Sequence, residues 1–591
     1  MPTPDGAIRV ANCSGFYGDR VSAAREQVEG GEIDYLTGDW LAELTMLILA
    51  RTKSGGRSGG WARTFVTQME QVLGTCVERG IKVITNAGGL DPAGCAAAVA
   101  EVAERAGVSA KIAYVLGDDL TGRLPELMAA GHEFRNMDTG ESLATKGVEI
   151  VTANAYIGCW GIVEALQQGA DVVIAGRATD AAIVMAAPAF HFGWQRDDWD
   201  RLAGACVAGH VIECGAQATG GNYSFFTEIP DLRYPGFPIA EMYPDGSSVI
   251  TKHEGTGGQV SVGTVTSQLL YEITSERYLN PDVTCRFDTI RVEQLGPDRV
   301  LVADTKGEPA PPTLKVAMNY QGGYRNGFTF CLTGLDVEAK AALIEQQLWS
   351  AFPEGKDTFD QARVQLIRTD KGDPASNEEA TALLKITVKD RDERKVGRGF
   401  ANMAVELALG SIPGFYGLNG APGPASPYGV YWPTLIPSDL VPQEVVVLGG
   451  GRTVVDNTPA GLAGATVEPT PVTVPPVPGG PTRRAPLGAL FGARSGDKGG
   501  NANVGLFARS AEAYAWLEAN VTVERMAQLL PDAAGLEIRR YAFPNIWSLN
   551  FVVVGLLEEG VAASSRQDGQ AKSLGEYVRA KIVDLPESLL G

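Results

Sequence analysis

Between residues 8 and 176 the chain repeats one pattern: a short apolar run, a polar loop carrying small residues, and an amphipathic stretch. The runs are IRVAN (8–12), IDYLTG (33–38), IKVITN (81–86), KIAYVL (111–116), VEIVTAN (148–154) and DVVIAG (171–176), IDYLTG being the weakest of them. VSAAREQVE, AGCAAAVAEVAERAG and GIVEALQQG, which lie between them, have helical composition, and Asp91-Pro92 is a helix-start signal before the second. Strands alternating with helices favour a parallel sheet covered by those helices. The pattern therefore predicts an α/β parallel-sheet lobe over residues 1–200.

From about 200 the runs become richer in β-branched and aromatic residues. CRFDTIRVEQLGPDRVLVADTKG (285–307) reads as a hairpin through Gly-Pro-Asp, and TLKVAMNYQGGYRNGFTFCLTG (313–334) as two strands around a glycine-rich turn. DVEAKAALIEQQLWSAF then reads as a helix, which makes 201–466 a second, α+β lobe. VEPTPVTVPPVPGGPTRRAP (467–486) opposes both helix and interior strand and reads as an interdomain linker. Beyond it, 487–591 reads as a small α+β domain of ferredoxin-like type: strand 487–492, a loop, strand VGLFAR, helices over 510–530, strands LEIRRYAF and SLNFVVVGLLE, and a last helix near 573–583.

A chain of 591 residues, 45% hydrophobic and 20% charged, has room for several buried cores. Its formal net charge of −20 repels nucleic acid and anionic membranes, so neither is expected as a partner. MPTPDGAIRV has no basic segment followed by an apolar one, and the longest apolar runs are too short for a bilayer; a cytoplasmic location is expected. The eight cysteines contain no C-x-x-C pair and read as buried free thiols, and with four histidines a His-rich metal centre is not expected.

In an open parallel sheet, ligands bind beyond the carboxyl ends of the strands. Here those ends read NCSGFYGDR (12–20), TGDWLAELT (37–45), TNAGGLDP (85–92), LGDDL (116–120), NAYIG (154–158) and AGRATDAA (175–182). Asp, Asn, Thr and Gly suit any turn or cap, but six such loops on one rim point to a site. Within it, Asp39 and Asp180 are candidate acid–base groups, with Asp118 and Asp119 beside them. Arg177 is placed to bind an anionic group, Thr179 or Asp180 to cap the next helix, and Asn86 and Asn154 to orient a carbonyl; Asp19 is a further substrate-binding candidate, as is Thr179. A purely structural Arg177–Asp180 ion pair is the simpler account of that stretch. A second polar concentration spans HVIECGAQATGGNYS (210–224) and TKHEGTGGQVSVGT (251–264), where Glu213, Lys252, His253 and Glu254 suit proton transfer or a surface loop between strands. His253 and Glu254 are the candidate catalytic residues of this lobe.

ARSGDKGGNANVG (493–505) has the look of a phosphate cradle, with Asp497, Lys498 and Asn501 as candidate binding residues. It lacks the G-x-x-x-x-G-K-[ST] spacing, and strands are expected on both flanks, so it is not a P-loop. Gly56-Arg57-Ser58-Gly59-Gly60 matches G-x-S-x-G but follows a helical stretch, where a nucleophile elbow needs a strand. Gly397-Arg398-Gly399-Phe400-Ala401-Asn402 approaches G-x-G-x-x-G without the final glycine and reads as a helix entry.

Taken together, NCSGFYGDR, DYLTGDWLAELTM, TNAGGLDP, ANAYIG, GADVVIAGRATD, GHVIECGAQATGGNYS, HEGTGGQV and RSGDKGGNANVG resemble the acyclic terpene utilisation protein AtuA family over nearly the whole chain. The resemblance implies a large AtuA domain followed by a C-terminal ferredoxin-fold domain, and a role in the breakdown of acyclic terpenoids such as citronellol and geraniol, whose intermediates are branched acyl-CoA thioesters. It supplies no established catalytic set. The expectation is a homo-oligomeric cytoplasmic enzyme acting on a branched isoprenoid acyl-CoA by hydratase or lyase chemistry, with coenzyme A present as part of the substrate and no other cofactor. In that reading Lys498 and backbone N–H groups of the 493–505 loop grip a CoA phosphate. The alternatives are a non-catalytic assembly or ligand-binding protein of the same pathway, with the small domain mediating oligomerisation, and a hydrolase using a divalent cation at Asp-rich loops such as LGDDL.

Overall fold

Strands covered on both faces can be apolar along most of their length, and the five central strands are. In the computed structural model, which describes residues 6–56, 59–459 and 461–590, Ile8–Asn12, Tyr35–Gly38, Lys82–Thr85, Val172–Ala175 and Ile112–Leu116 lie side by side in that order, all parallel. Apart from Lys82, Tyr114 and Leu116, every residue in them is buried. Helices Arg63–Arg79 and Pro92–Ala106 contribute Phe65, Met69, Val72 and Val99 to a core shared with Leu36, Val83 and Ile174. The Asp91 helix start forms as read: Asp91 Oδ1 accepts from Gly94 N at 2.9 Å and Pro92 takes the first turn.

The expected division at residue 200 does not follow the sheet. Pro238–Met242 pairs antiparallel with Ile8–Asn12 and is followed outward by Ser248–Lys252, Arg299–Ala303 and Arg291–Gly296. On the opposite edge Gln443–Val447 and Arg452–Val455 add antiparallel to Ile112–Leu116, completing 11 strands. Composition changes near 200 because pairing turns antiparallel and the outer strands are half exposed, not because a new core begins. Two other expectations need correcting. Ile150–Ala155 pairs with the strand Thr313–Thr333 rather than joining the parallel sheet, since a short buried run does not specify which sheet it enters. Thr313–Thr333 is also one continuous strand of 21 residues, not two: Gly322 lies where a Cβ would meet the Tyr428 ring at 2.5 Å, so that glycine serves close packing rather than a turn. The Gly-Pro-Asp hairpin does form, with Asp298 at φ +52°.

The contacts divide the chain into two units. One comprises 6–319, 431–561 and 570–590 and holds both the large sheet and the C-terminal domain; the other comprises 320–430 and 562–569. In the second unit Gln361–Ile367 and Thr381–Asp390 pair antiparallel beside the later part of Thr313–Thr333, and helices Val337–Ser350 and Phe400–Gly410 close a core of Phe330, Leu384, Ile386, Ile344 and Phe400. The entry at Gly397 to Gly399 leads into the latter helix as expected. Arg57 and Ser58 of the G-x-S-x-G match lie outside the described residues; the helix Glu43–Ser54 precedes them.

The C-terminal domain is a four-stranded antiparallel sheet in the order Gly492–Lys498, Asn501–Phe507, Ser548–Val553, Ile538–Phe543, with helices Ala511–Asn520, Val523–Leu529 and Leu574–Arg579. The linker ends earlier than expected, because Thr482–Pro486 pairs with Ile582–Pro586. The glycine-rich 493–505 segment is not a loop. It is a hairpin with a two-residue turn at Gly499 and Gly500, and its glycines let it lie close to neighbouring chain: a Cβ on Gly505 would meet Leu270 Cβ at 2.6 Å. Among the described residues no helix is long and apolar enough to cross a membrane; the eight cysteines are free thiols, and seven of them are buried.

Candidate active site at the strand ends

Four of the five parallel strands deliver a polar residue just past their ends, Asp39, Asn86, Asp118 and Arg177, and Asn154 from Ile150–Ala155 joins them. Asn86 donates from Nδ2 to Asp39 Oδ1 at 2.6 Å and accepts from Trp40 N at 2.8 Å. Asp118 Oδ2 accepts from Asn154 Nδ2 at 2.9 Å and from Arg177 N at 2.8 Å. The two asparagines therefore position carboxylates and backbone, where the sequence suggested they would orient a carbonyl. Arg177, fully buried, donates from Nη1 to Asp180 Oδ1 at 2.8 Å and to Leu41 O at 2.6 Å, and its guanidinium lies 4.1 Å from the Tyr156 ring centre.

Other elements complete the group. Lys315, from the long strand, pairs with Glu43 at 2.9 Å, with its Nζ 5.1 Å from the Tyr156 ring centre and 5.4 Å from that of Tyr431. The helix Trp199–Ile212 brings His210, and Glu213 follows it, with His210 Nδ1 3.4 Å from Glu213 Oε1 and Tyr278 packed on the imidazole. The C-terminal hairpin contributes Asp497, 3.3 Å from Lys572, and Lys498, whose Nζ is 5.9 Å from the Tyr278 ring centre.

Burial sets the protonation pattern. It pushes the Asp39 carboxyl well above the usual range, reinforced by Asp180 and opposed by Arg177. Glu213 is pushed up by burial and then by Asp180, so in both acids the fold favours the protonated form. Burial lowers His210 to about 4, with Lys498 adding to the effect, and the imidazole is neutral. Burial works against the charge on Glu43, but Lys315 outweighs it and keeps Glu43 an anion. Against burial, Asp180, Tyr156 and Asp39 hold Arg177 charged.

Several polar atoms here lack partners. Trp40 Nε1, Asn154 Oδ1, Arg177 Nε, Thr179 Oγ1 and Glu213 Oε2 are buried without a hydrogen bond among the described residues. Each such group costs about 1–3 kcal/mol when left unmade, which makes this cluster the candidate site. A separate cavity of about 450 Å³, lined by Tyr223, Val262, Phe507, Arg509 and Trp547, contains none of the buried acids, so its size does not make it the reactive centre.

The structure thus brings together Asp39, Asn86, Asn154, Arg177, Thr179, Asp180, Asp497 and Lys498. Four of the sequence candidates stand elsewhere. His253 Nε2 is 2.9 Å from Gln27 O, and its ring lies against Gly30 and Gly31 in a structural contact; Glu254 is exposed. Asp19 accepts from Gly15 N and Arg20 N and shapes its own loop. Asn501 Nδ2 donates to Asp138 Oδ1 at 2.8 Å while Gly500 N donates to Asp138 Oδ2 at 3.3 Å, so one of the backbone N–H groups assigned to a CoA phosphate already holds a carboxylate. Nor do the LGDDL acids gather at a cation: Asp118 accepts the two bonds above, Asp119 accepts from Thr121 N, and no group of three His, Cys, Asp or Glu is arranged for a metal among the described residues. Sequence reasoning missed Glu43, Tyr156, Lys315, Tyr431, Glu272 and Tyr278. Glu43 and Tyr156 lie within the strand-end loops already singled out, whereas nothing local marks Lys315 within its strand.

Fold and site define an α/β protein with a buried acid–base and cationic cluster beyond the ends of its parallel strands, completed by a hairpin from an appended domain. The chain belongs to the acyclic terpene utilisation family AtuA: that family's model matches residues 8–447, and the model of the AtuA ferredoxin-like domain matches residues 485–584. No curated protein and no solved structure matches the chain. Family membership implies involvement in acyclic terpene utilisation.

Proposed function

We propose that this protein is a cytoplasmic enzyme of acyclic terpenoid breakdown that acts on a branched isoprenoid acyl-CoA thioester by acid–base chemistry of the hydratase or lyase type. The observation that carries the reading is the convergence of unpaired buried polar atoms around Asp39, Arg177 and Asp180. In a hydration, Asp180 takes a proton from water as its oxygen bonds to the β carbon, and Asp39 gives its proton to the α carbon. Negative charge gathers on the thioester oxygen between these steps, and Arg177 Nε–H and the Thr179 hydroxyl are the free donors suited to receive it. Asn86 holds Asp39 in place and Asn154 supports the Arg177 loop through Asp118.

Turnover of a panel of branched enoyl-CoA thioesters by Asp39→Asn and Asp180→Asn tests this. Each variant is expected to lose at least about 10²-fold in kcat with its fold retained, Asp180→Asn at some cost in stability because Arg177 loses its carboxylate partner. If Asp180→Asn kept full turnover on every accepted thioester, the acid–base assignment would be wrong.

A further inference from the structure

Four cations stand in the strand-end cluster, and three of them are paired. Arg177 has Asp180, Lys315 has Glu43, and Lys572 has Asp497 and Glu272. Lys498 has neither ion pair nor hydrogen bond at Nζ among the described residues, although Glu272, Glu43 and Asp180 all act on its charge. Its backbone, by contrast, is fixed. Lys498 faces Asn501 across the hairpin turn, Gly500 and Asn501 donate to Asp138, Leu557 N donates to Gly500 O at 2.9 Å, and Gly555 N donates to Asn501 Oδ1 at 2.8 Å. A rigid turn thus presents a lysine whose amine the protein itself leaves unused. Around it stand the cation Lys315, the carboxyls Glu272, Glu43, Asp180 and Glu213, neutral His210 and the Tyr278 ring. Burial first, and then Lys315, lower the amine's proton affinity, as in lysines activated by desolvation beside a second cation.

We propose that Lys498 is a nucleophilic amine that condenses with the carbonyl carbon of an aldehyde or ketone bound in the strand-end cluster. The Nζ lone pair forms the C–N bond while the carbonyl π pair moves to oxygen, which takes a proton; loss of a proton from nitrogen leaves a neutral carbinolamine. A second proton on that oxygen lets the C–O bond break and water depart as nitrogen forms the C=N bond. The balance is amine plus carbonyl to imine plus water, with no oxidant or reductant. Glu213, whose protonated form burial favours and whose carboxyl is close enough to feel the Lys498 charge, is the proton donor at hand. A protonated imine draws electrons from the neighbouring carbon and so assists bond cleavage there, which suits lyase chemistry. The inference goes beyond the acyl-CoA reading, because the reacting carbonyl is not the thioester.

The test needs no coenzyme A, so its failure is distinct from failure of the thioester assay. The full-length protein is incubated at pH 7 with 3-methylbutanal and sodium cyanoborohydride, and alkylation of each lysine is followed by peptide mass spectrometry. Lys498 is expected to be alkylated at least about tenfold faster than exposed Lys356, because its lowered proton affinity leaves more of the amine unprotonated at this pH. Paired Lys315 is expected to remain unmodified over the same period. Alkylation of Lys498 no faster than Lys356, or of Lys315 ahead of Lys498, overturns the proposal.

Discussion

Arg177→Ala is expected to lower stability by about 3–5 kcal/mol, because it empties the space of a fully buried side chain and takes the cation from a pair whose carboxylate is half-buried. The guanidinium does three things at once: it pairs with Asp180, donates to Leu41 O, and fills the space over Tyr156. Without it Asp39 and Asp180 face each other with no cation between them, and Leu41 O loses its donor. Arg177→Lys keeps the charge but cannot stack on Tyr156 while reaching both oxygens, so it should recover only part of the loss. Arg177→Ala with Asp180→Asn should be more stable than Arg177→Ala alone, because the second change removes the unpaired anion. Urea midpoints at constant m measure all three. A midpoint for Arg177→Ala within about 1 kcal/mol of the native protein would mean that the pair is exposed and replaceable by solvent.

That buried pair was legible in the sequence only as spacing. AGRATD placed Arg177 and Asp180 near one another at a strand end, and TGD and TNAG placed Asp39 and Asn86 on the same rim, because a parallel strand ends where its β-branched run ends. What brings Lys315, Glu213 and Lys498 to that rim is tertiary: a strand 300 residues along, the end of a helix, and a hairpin from another domain. Local periodicity carries no record of such meetings. The same limit explains why Ile150–Ala155 was expected in the wrong sheet and why His253, with the most promising neighbours in sequence, packs against Gly30 and Gly31. The glycines of 493–505 were conspicuous for a further reason. Their composition is shared by phosphate loops and by hairpins that must lie close to a neighbour, and only Leu270 against Gly505 tells the two apart.

Between pH 4.5 and 7 the protein is expected to become less stable as pH rises, the reverse of ordinary acid denaturation. Asp118 is raised to about 7 by burial, and Asp497 to about 7 by burial and Glu272, from an ordinary value of 3.8. Their folded values lie above the unfolded ones, so the stability they contribute is complete below 3.8 and is lost as pH rises towards 7. Asp39 and Glu213, also raised, act in the same direction. His210 opposes them: lowered from 6.5 to about 4, it leaves the unfolded chain holding the extra proton between those values, so its contribution falls as pH falls. His253, also lowered from 6.5 by burial, acts as His210 does, but the five raised carboxyls Asp39, Asp118, Glu213, Asp282 and Asp497 outnumber the two imidazoles, so the folded state holds the net extra protons, each worth a slope of about 1.4 kcal/mol per pH unit. Glu43, whose folded value is lowered from 4.5, loses its contribution only below this window. Surface repulsion from a net charge of −20 has the same sign, and salt separates the two, since about 0.5 M salt screens exposed charges and leaves buried ones largely unscreened. Urea unfolding across pH 4.5–7.5 in high salt measures the buried part, and Asp118→Asn should flatten its slope while raising stability at pH 7.5. A stability that climbs with pH over this range would mean that the strand-end carboxyls are already ionised in the fold, and Asp39 would then have no proton to give.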